Sequence, residues 1–154
     1  MLTAQDNATL VRAHYDAFNR RDFDKALAMV SPDVKWKNIP FDMRFDGRPG
    51  YRQHLENWTN AMPDSKLEIV NLVIGEEWAA VECLARGTHT GPLVGPNGTI
   101  APTQNKVEMK FCELHRIVDG QITEGRLYFD STTLMHQLGV LPPTKSPNAV
   151  PAGR

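Results

Sequence analysis

The sequence is poor in the features that usually announce a function. No run of lysine and arginine stands out in its 154 residues, and the formal net charge is −1. There is therefore no electrostatic footprint for nucleic acid. No stretch approaches the roughly 18 consecutive apolar residues of a membrane span. The opening MLTAQDNATLV lacks the basic segment and apolar core of a secretory signal. Cysteine is scarce: Cys83 and Cys112 sit inside apolar strand-like runs without ligand spacing, as buried free thiols would. A cytoplasmic, reduced setting follows by elimination. The five histidines include no HxH or HExxH pattern, so no metal is expected. No Gly-x-Gly-x-x-Gly, P-loop or Gly-x-Ser-x-Gly spacing occurs, which removes the usual nucleotide and serine-hydrolase signatures.

What is present fits one globular domain over residues 1–141. A hydrophobic share of 41% and a charged share of 23% are ordinary for a chain that buries a real core. From residue 142 the chain holds Pro142, Pro143, Pro147 and Pro151 with no periodicity. This tail is expected to be disordered or packed on a neighbour. Apolar residues recur at helical spacing over Gln5–Asn19, from Asp22 to about Val30, and over Gly50–Met62. Val34–Asn38 reads as a short strand, with Val34, Trp36 and Asn38 on one face. Pro40–Pro49 is an unusually apolar loop expected to fold over something. Ser65–Ile74 and Trp78–Gly87 read as strands, Gly87–Thr103 as a long loop, and Ser131–Leu138 as a final helix ended by Gly139. Helices grouped ahead of antiparallel strands predict an α+β fold, with helices on one face of a curved sheet. Such a cone offers an apolar cavity for a small molecule.

The most informative stretch is Val107–Gly139. Two strand-like arms flank Asp119-Gly120, a strong hairpin signal. Alternation places Val107, Met109, Phe111, Glu113, His115 and Ile117 on one face of the first arm. It places Ile122, Glu124, Arg126, Tyr128 and Asp130 together on the second. If that face lines the cavity, Glu113, His115, Arg126, Tyr128 and Asp130 are the groups available for chemistry.

Four fragments, YDAFNRRDFDKALAMVSPDVKW (Tyr15–Trp36), MPD (Met62–Asp64), GTHTGPLVG (Gly87–Gly95) and HRIVDGQITEGRLYFDSTTLMHQLG (His115–Gly139), resemble the SnoaL-like polyketide and ester cyclases of the NTF2-like superfamily. The resemblance runs from about Val11 to Leu141. It implies an NTF2-like cone, often a homodimer formed through the sheet, and a role in secondary metabolism. It also implies acid/base chemistry without metal or cofactor, in which an aspartate near the end of the last strand drives an intramolecular aldol closure. Asp130 stands at the matching position. Many relatives carry Trp where Arg126 stands, which suggests an anionic or carbonyl-rich substrate.

Asp130 is the first choice as base, its pKa raised by burial among Tyr15, Trp36, Trp58 and Met62; its plainer role is to cap the last helix. His115 is the second, as proton shuttle or donor to an enolate oxygen, against a core histidine bonded to Glu113 or Tyr128. Glu113 fits an orienting partner. Arg126 and Tyr128 are donors to a substrate oxygen, against an internal ion pair of Arg126 with Glu113, Glu124 or Asp130. Tyr15, Asn38, His54 and Trp58 are lining residues, with Trp58 also a natural core residue. Trp36 either stacks on a flat substrate or packs. His89 shapes its loop.

The function expected from these residues and the resemblance is cofactor-free acid/base catalysis on a small or polycyclic carbonyl compound, with a small-molecule substrate as partner. An epoxide hydrolase or isomerase is the alternative enzyme. Hydrolase relatives end a strand in a comparable Tyr-Phe-Asp, as Tyr128-Phe129-Asp130 does, but they also need an Arg–Asp pair, and Arg86 has no aspartate two residues away. A non-catalytic small-molecule binding protein is the alternative of a different class.

Overall fold

The computed structural model describes residues 2–141; the proline-rich tail expected from residue 142 lies outside them. Three helices come early: α1 (Ala4–Asn19), α2 (Phe23–Ala28) and α3 (Gly47–Ala61). The strands are β1 (Val30–Asn38), β2 (Met43–Asp46), β3 (Lys66–Ile74), β4 (Trp78–Thr88), β5 (Leu93–Gly95), β6 (Gly98–Ile100), β7 (Lys106–Val118) and β8 (Gln121–Phe129). The short helix α4 (Ser131–Gln137) follows β8. Thr3 starts α1 through a reciprocal capping box with Asp6.

Six strands form the main sheet in the order β2-β1-β8-β7-β4-β3. Every neighbouring pair is antiparallel except β1 and β8. The α+β expectation holds, and the helices cover one face of the sheet. Among the described residues, no helix is long and apolar enough to cross a membrane.

Two local differences from the sequence reading shape the interior. The apolar segment after Pro40 is not all loop. Met43–Asp46 pairs with β1, setting Phe45 opposite Trp36, and both are buried. The Gly87–Thr103 loop contains the small β5–β6 hairpin, whose Leu93 is 1% exposed. His89 does shape this region: its Nδ1 accepts the Thr103 amide at 3.2 Å.

The hairpin joining β7 and β8 turns at Asp119 and Gly120, with φ of 50° and 76°, the left-handed geometry a tight hairpin needs. A register shift then follows between Arg116 and Ile117. Ile117 pairs with Ile122 but Arg116 pairs with Glu124, so Thr123 is the extra residue of a bulge. Beyond it the alternation of β8 is reversed. Gly125 and Leu127 are buried on the inner face, while Tyr128 and Asp130 are exposed.

Candidate active site

The cavity lies between α1, α3 and the inner face of β3, β4, β7 and β8. Apolar side chains form most of its wall: Phe18 from α1, Leu55 and Trp58 from α3, Leu67, Ala85, Met109, Phe111 and Leu127 from the sheet, and Met62. The polar groups in the wall are His14, Tyr15, Tyr51, His54, Ser65 and Glu113. The enclosed space is about 60 Å³, inside a crevice that encloses about 610 Å³ with its mouth. The inner part holds a few water molecules or one small functional group.

Helical spacing explains the convergence. His14 and Tyr15 share the buried stripe of α1 with Val11 and Phe18, and Tyr51, His54, Leu55 and Trp58 recur at three and four residues along α3. Glu113 and His115 are two apart on β7, so both point inward.

Glu113 is the one carboxylate in this wall, 8% exposed. The Tyr15 hydroxyl donates to its Oε1 in a short hydrogen bond. The same phenol oxygen lies 3.1 Å from His115 Nε2, and Nε2 is 3.9 Å from Glu113 Oε1. Because the phenol proton goes to the carboxylate, His115 must donate from Nε2 to the phenol oxygen. That tautomer leaves Nδ1 deprotonated, and Nδ1 has no partner. Burial pushes the Glu113 carboxyl up to about 7, although the Tyr15 hydrogen bond opposes it.

The rings around the carboxylate are neutral. Burial, with His14 and His54 nearby, lowers His115 to about 3. Burial lowers His14 to about 4, and burial with His14 beside it lowers His54 to about 3. Tyr15 and Tyr51 are raised, first by burial and then by the charge of Glu113, so both keep their protons. Burial also raises the Cys83 thiol, with Glu113 adding to it, so no thiolate nucleophile stands here.

The sequence candidates divide cleanly. Tyr15, His54, Trp58 and Glu113 line the cavity. His115 stands one layer back and reaches it through Tyr15. Trp36 is fully buried behind the wall, its ring 5.2 Å from those of His54 and His115. It crosses β8 at Gly125, where an added Cβ would fall 2.1 Å from the indole. Asn38 is also behind the wall, its Oδ1 accepting the Phe41 amide at 3.0 Å in the β1–β2 turn.

Asp130, Arg126 and Tyr128 are corrections. The Thr123 bulge turns all three away from the cavity. Asp130 is exposed and caps α4, accepting from the Thr132 and Thr133 amides at 3.0 and 3.2 Å and the Thr133 hydroxyl at 2.8 Å. Those hydrogen bonds, led by the Thr133 hydroxyl, lower its pKa, the opposite of what a base requires. Arg126 lays its guanidinium 5.4 Å from the Trp78 ring centroid and makes none of the ion pairs expected of it among the described residues. Tyr128 is 40% exposed. Arg86 is also outside, paired with Glu68 and Glu108 on the surface, so it cannot position water in the cavity.

Glu113 was legible from its place on the apolar face of β7. Tyr51 and His14 lie on apolar helical stripes, and no motif distinguishes them from core.

With this geometry established, the comparisons place the molecule. The chain belongs to the SnoaL-like polyketide cyclase family, whose sequence model matches residues 8–138. No curated protein matches it. Among solved structures it is similar to AclR from Streptomyces galilaeus, with 24% identity, 93% of this chain and 87% of that one covered, and a TM-score of 0.78. TsrD from Streptomyces laurentii gives 21% identity, coverage of 92% and 100%, and a TM-score of 0.78. IdmH from Streptomyces antibioticus, proposed as a polyketide cyclase, gives 25% identity, coverage of 86% and 97%, and a TM-score of 0.70. These likenesses and the family confirm the NTF2-like α+β fold.

Proposed function

We propose that the protein is an acid/base enzyme acting on a carbonyl compound, with Glu113 as the proton-transfer group. What carries this reading is a buried carboxylate, the one carboxylate in a mostly apolar wall, held in place by Tyr15 and pushed by burial up to about 7. A base poised near neutrality is half ionised there and strong enough to take a proton next to a carbonyl.

In the ring closure typical of the family, the Glu113 carboxylate removes the proton on the carbon beside one carbonyl. The C–H electron pair passes into the enolate. The enolate carbon then attacks a second carbonyl carbon of the same molecule, forming the C–C bond and an alkoxide. Glu113, now protonated, returns its proton to that oxygen. No electron donor or acceptor is consumed. Tyr15 and His115 fix the carboxylate, and the apolar walls hold the chain folded on itself, which removes much of the entropic barrier to closure.

The test is deuterium exchange at the α-carbon of cyclohexanone and 1-tetralone, followed by NMR in heavy water. Wild-type protein is expected to accelerate exchange, with a rate that rises with pH to a plateau about a midpoint near 7. Glu113→Gln should lose at least about 100-fold of that rate. Full exchange in that variant would remove Glu113 from the mechanism.

The small enclosed space, about 60 Å³, favours one second reading: a binding protein that holds a compact ligand without turning it over. Saturable ketone binding with no protein-dependent exchange at any pH would support that reading instead.

A further inference from the structure

We infer that His54 is the hydrogen-bond donor for the substrate's carbonyl oxygen, and that the cavity therefore takes an uncharged carbonyl compound rather than an anion. This rests on the reading of Glu113 as the proton-transfer group.

The tyrosine and histidine protons of the cavity wall differ in how they are engaged. The Tyr15 proton is given to Glu113. His14 turns Nδ1 toward the Ala26 carbonyl without a well-aligned hydrogen bond. That favours a proton on Nδ1 and leaves Nε2 to accept from the Tyr51 hydroxyl, 2.7 Å away. Ser65 is tied to the Arg21 guanidinium, which donates to its hydroxyl oxygen at 3.2 Å and its carbonyl at 2.7 Å.

His54 is different. Among the described residues its ring makes no hydrogen bond, although it is only 3% exposed. Its nitrogens are nevertheless not among the fully enclosed, unpartnered histidine nitrogens of the described residues, which are one each of His14, His89 and His115. Its nitrogens are therefore reachable from the hollow that it lines. The ring cannot swing away, because Trp36, Phe45 and Tyr51 pack around it with centroids 5.2, 5.3 and 5.8 Å distant. A neutral imidazole carries one N–H and, held this way, offers it to a developing oxyanion without reorganisation.

The same wall sets the substrate's charge. It contains Glu113 and no lysine or arginine. An anionic substrate would meet a like charge in an apolar enclosure with no cation to offset it, which is a strongly unfavourable contact. A neutral ketone or ester flanked by apolar carbon meets largely apolar walls and the His54 donor. Of the anionic or carbonyl-rich substrate expected from an inward-facing Arg126, this keeps the carbonyl-rich one.

The test is infrared difference spectroscopy of carbonyl-¹³C cyclohexanone and 1-tetralone bound to the full-length protein. The bound carbonyl stretch is expected to move to lower frequency than in hydrocarbon solvent. His54→Phe should remove that displacement and weaken Kd about tenfold. His54→Gln, which keeps an N–H donor, should restore it, and Glu113→Gln should leave it in place. A second readout uses ring-¹⁵N histidine in the otherwise unaltered protein. Ketone addition should move the N–H resonance of His54 and leave those of His14 and His115 where they are. A displaced carbonyl stretch that survives in folded His54→Phe, or a His54 resonance that ignores bound ketone, would overturn the assignment. So would a wild-type protein that binds neither ketone saturably. Absence of protein-dependent exchange in the wild type, or full exchange in Glu113→Gln, with the infrared pattern intact would strike the role of Glu113 and leave His54 standing.

Discussion

Two carboxylates, Glu113 and Asp130, show how strongly surroundings decide what one functional group does. Glu113 lies in hydrocarbon with one hydroxyl donor, and its pKa is pushed up to about 7. Asp130 lies in water with two amides and a hydroxyl aimed at it, and its pKa is lowered. One can trade protons at neutral pH and the other stays ionised as a helix cap. Asp130→Ala should therefore leave α-proton exchange within about twofold of wild type. It should lower the melting temperature modestly, through loss of the side-chain N-cap of α4. Paired thermal melts and exchange assays check this. A collapse of exchange without loss of stability would return Asp130 to the active site.

At the scale of elements, much was legible in the sequence. The helical stripes of α1 and α3 identify Tyr15, His54 and Trp58 as inward-facing, because a 3.6-residue repeat of apolar positions has one stable packing. The inward face of β7, carrying Glu113 and His115, follows from simple alternation. Alternation failed on β8 at one residue. Thr123 is inserted in the register, and a single insertion in a period-two element sends every later side chain to the opposite face. Arg126, Tyr128 and Asp130 thus left the cavity, and Gly125, Leu127 and Phe129 took the inner positions. Nothing in the composition of Ile122–Glu124 announces a bulge. It does bring Gly125 to the inner face, where Trp36 from β1 lies so close that a Cβ would fall 2.1 Å from the indole. Pairing of β2 with β1 was also hidden, since Met43–Asp46 is a strand only by virtue of its partner. Helix caps were more readable, and Asp130 was a natural cap before Ser131 in the sequence itself.

The whole molecule carries the cost of this interior as a pH dependence. His14, His54 and His115, at about 4, 3 and 3, bind protons more weakly when folded than the ordinary histidine value of about 6.5. Between roughly pH 4.5 and 6.5 the unfolded chain therefore takes up protons at these rings that the folded chain refuses, so stability rises with pH. Glu113 acts the other way: its folded pKa is raised, so its contribution is present at low pH and is lost as pH climbs toward 7. Three histidines outweigh one glutamate. Stability should climb by on the order of 2 kcal/mol per pH unit in that window and level off near neutrality. Urea melts across the range check this, and a flat profile would mean that the rings are not neutral and enclosed. The central claim, however, is that Glu113 is a carboxylate tuned to neutrality. The most direct measurement is a ¹³C NMR titration of its side-chain carboxyl carbon, assigned by its disappearance in Glu113→Gln. A midpoint near 7 is the expected result; a midpoint near 4.5, the ordinary value for a solvated glutamate, would contradict it.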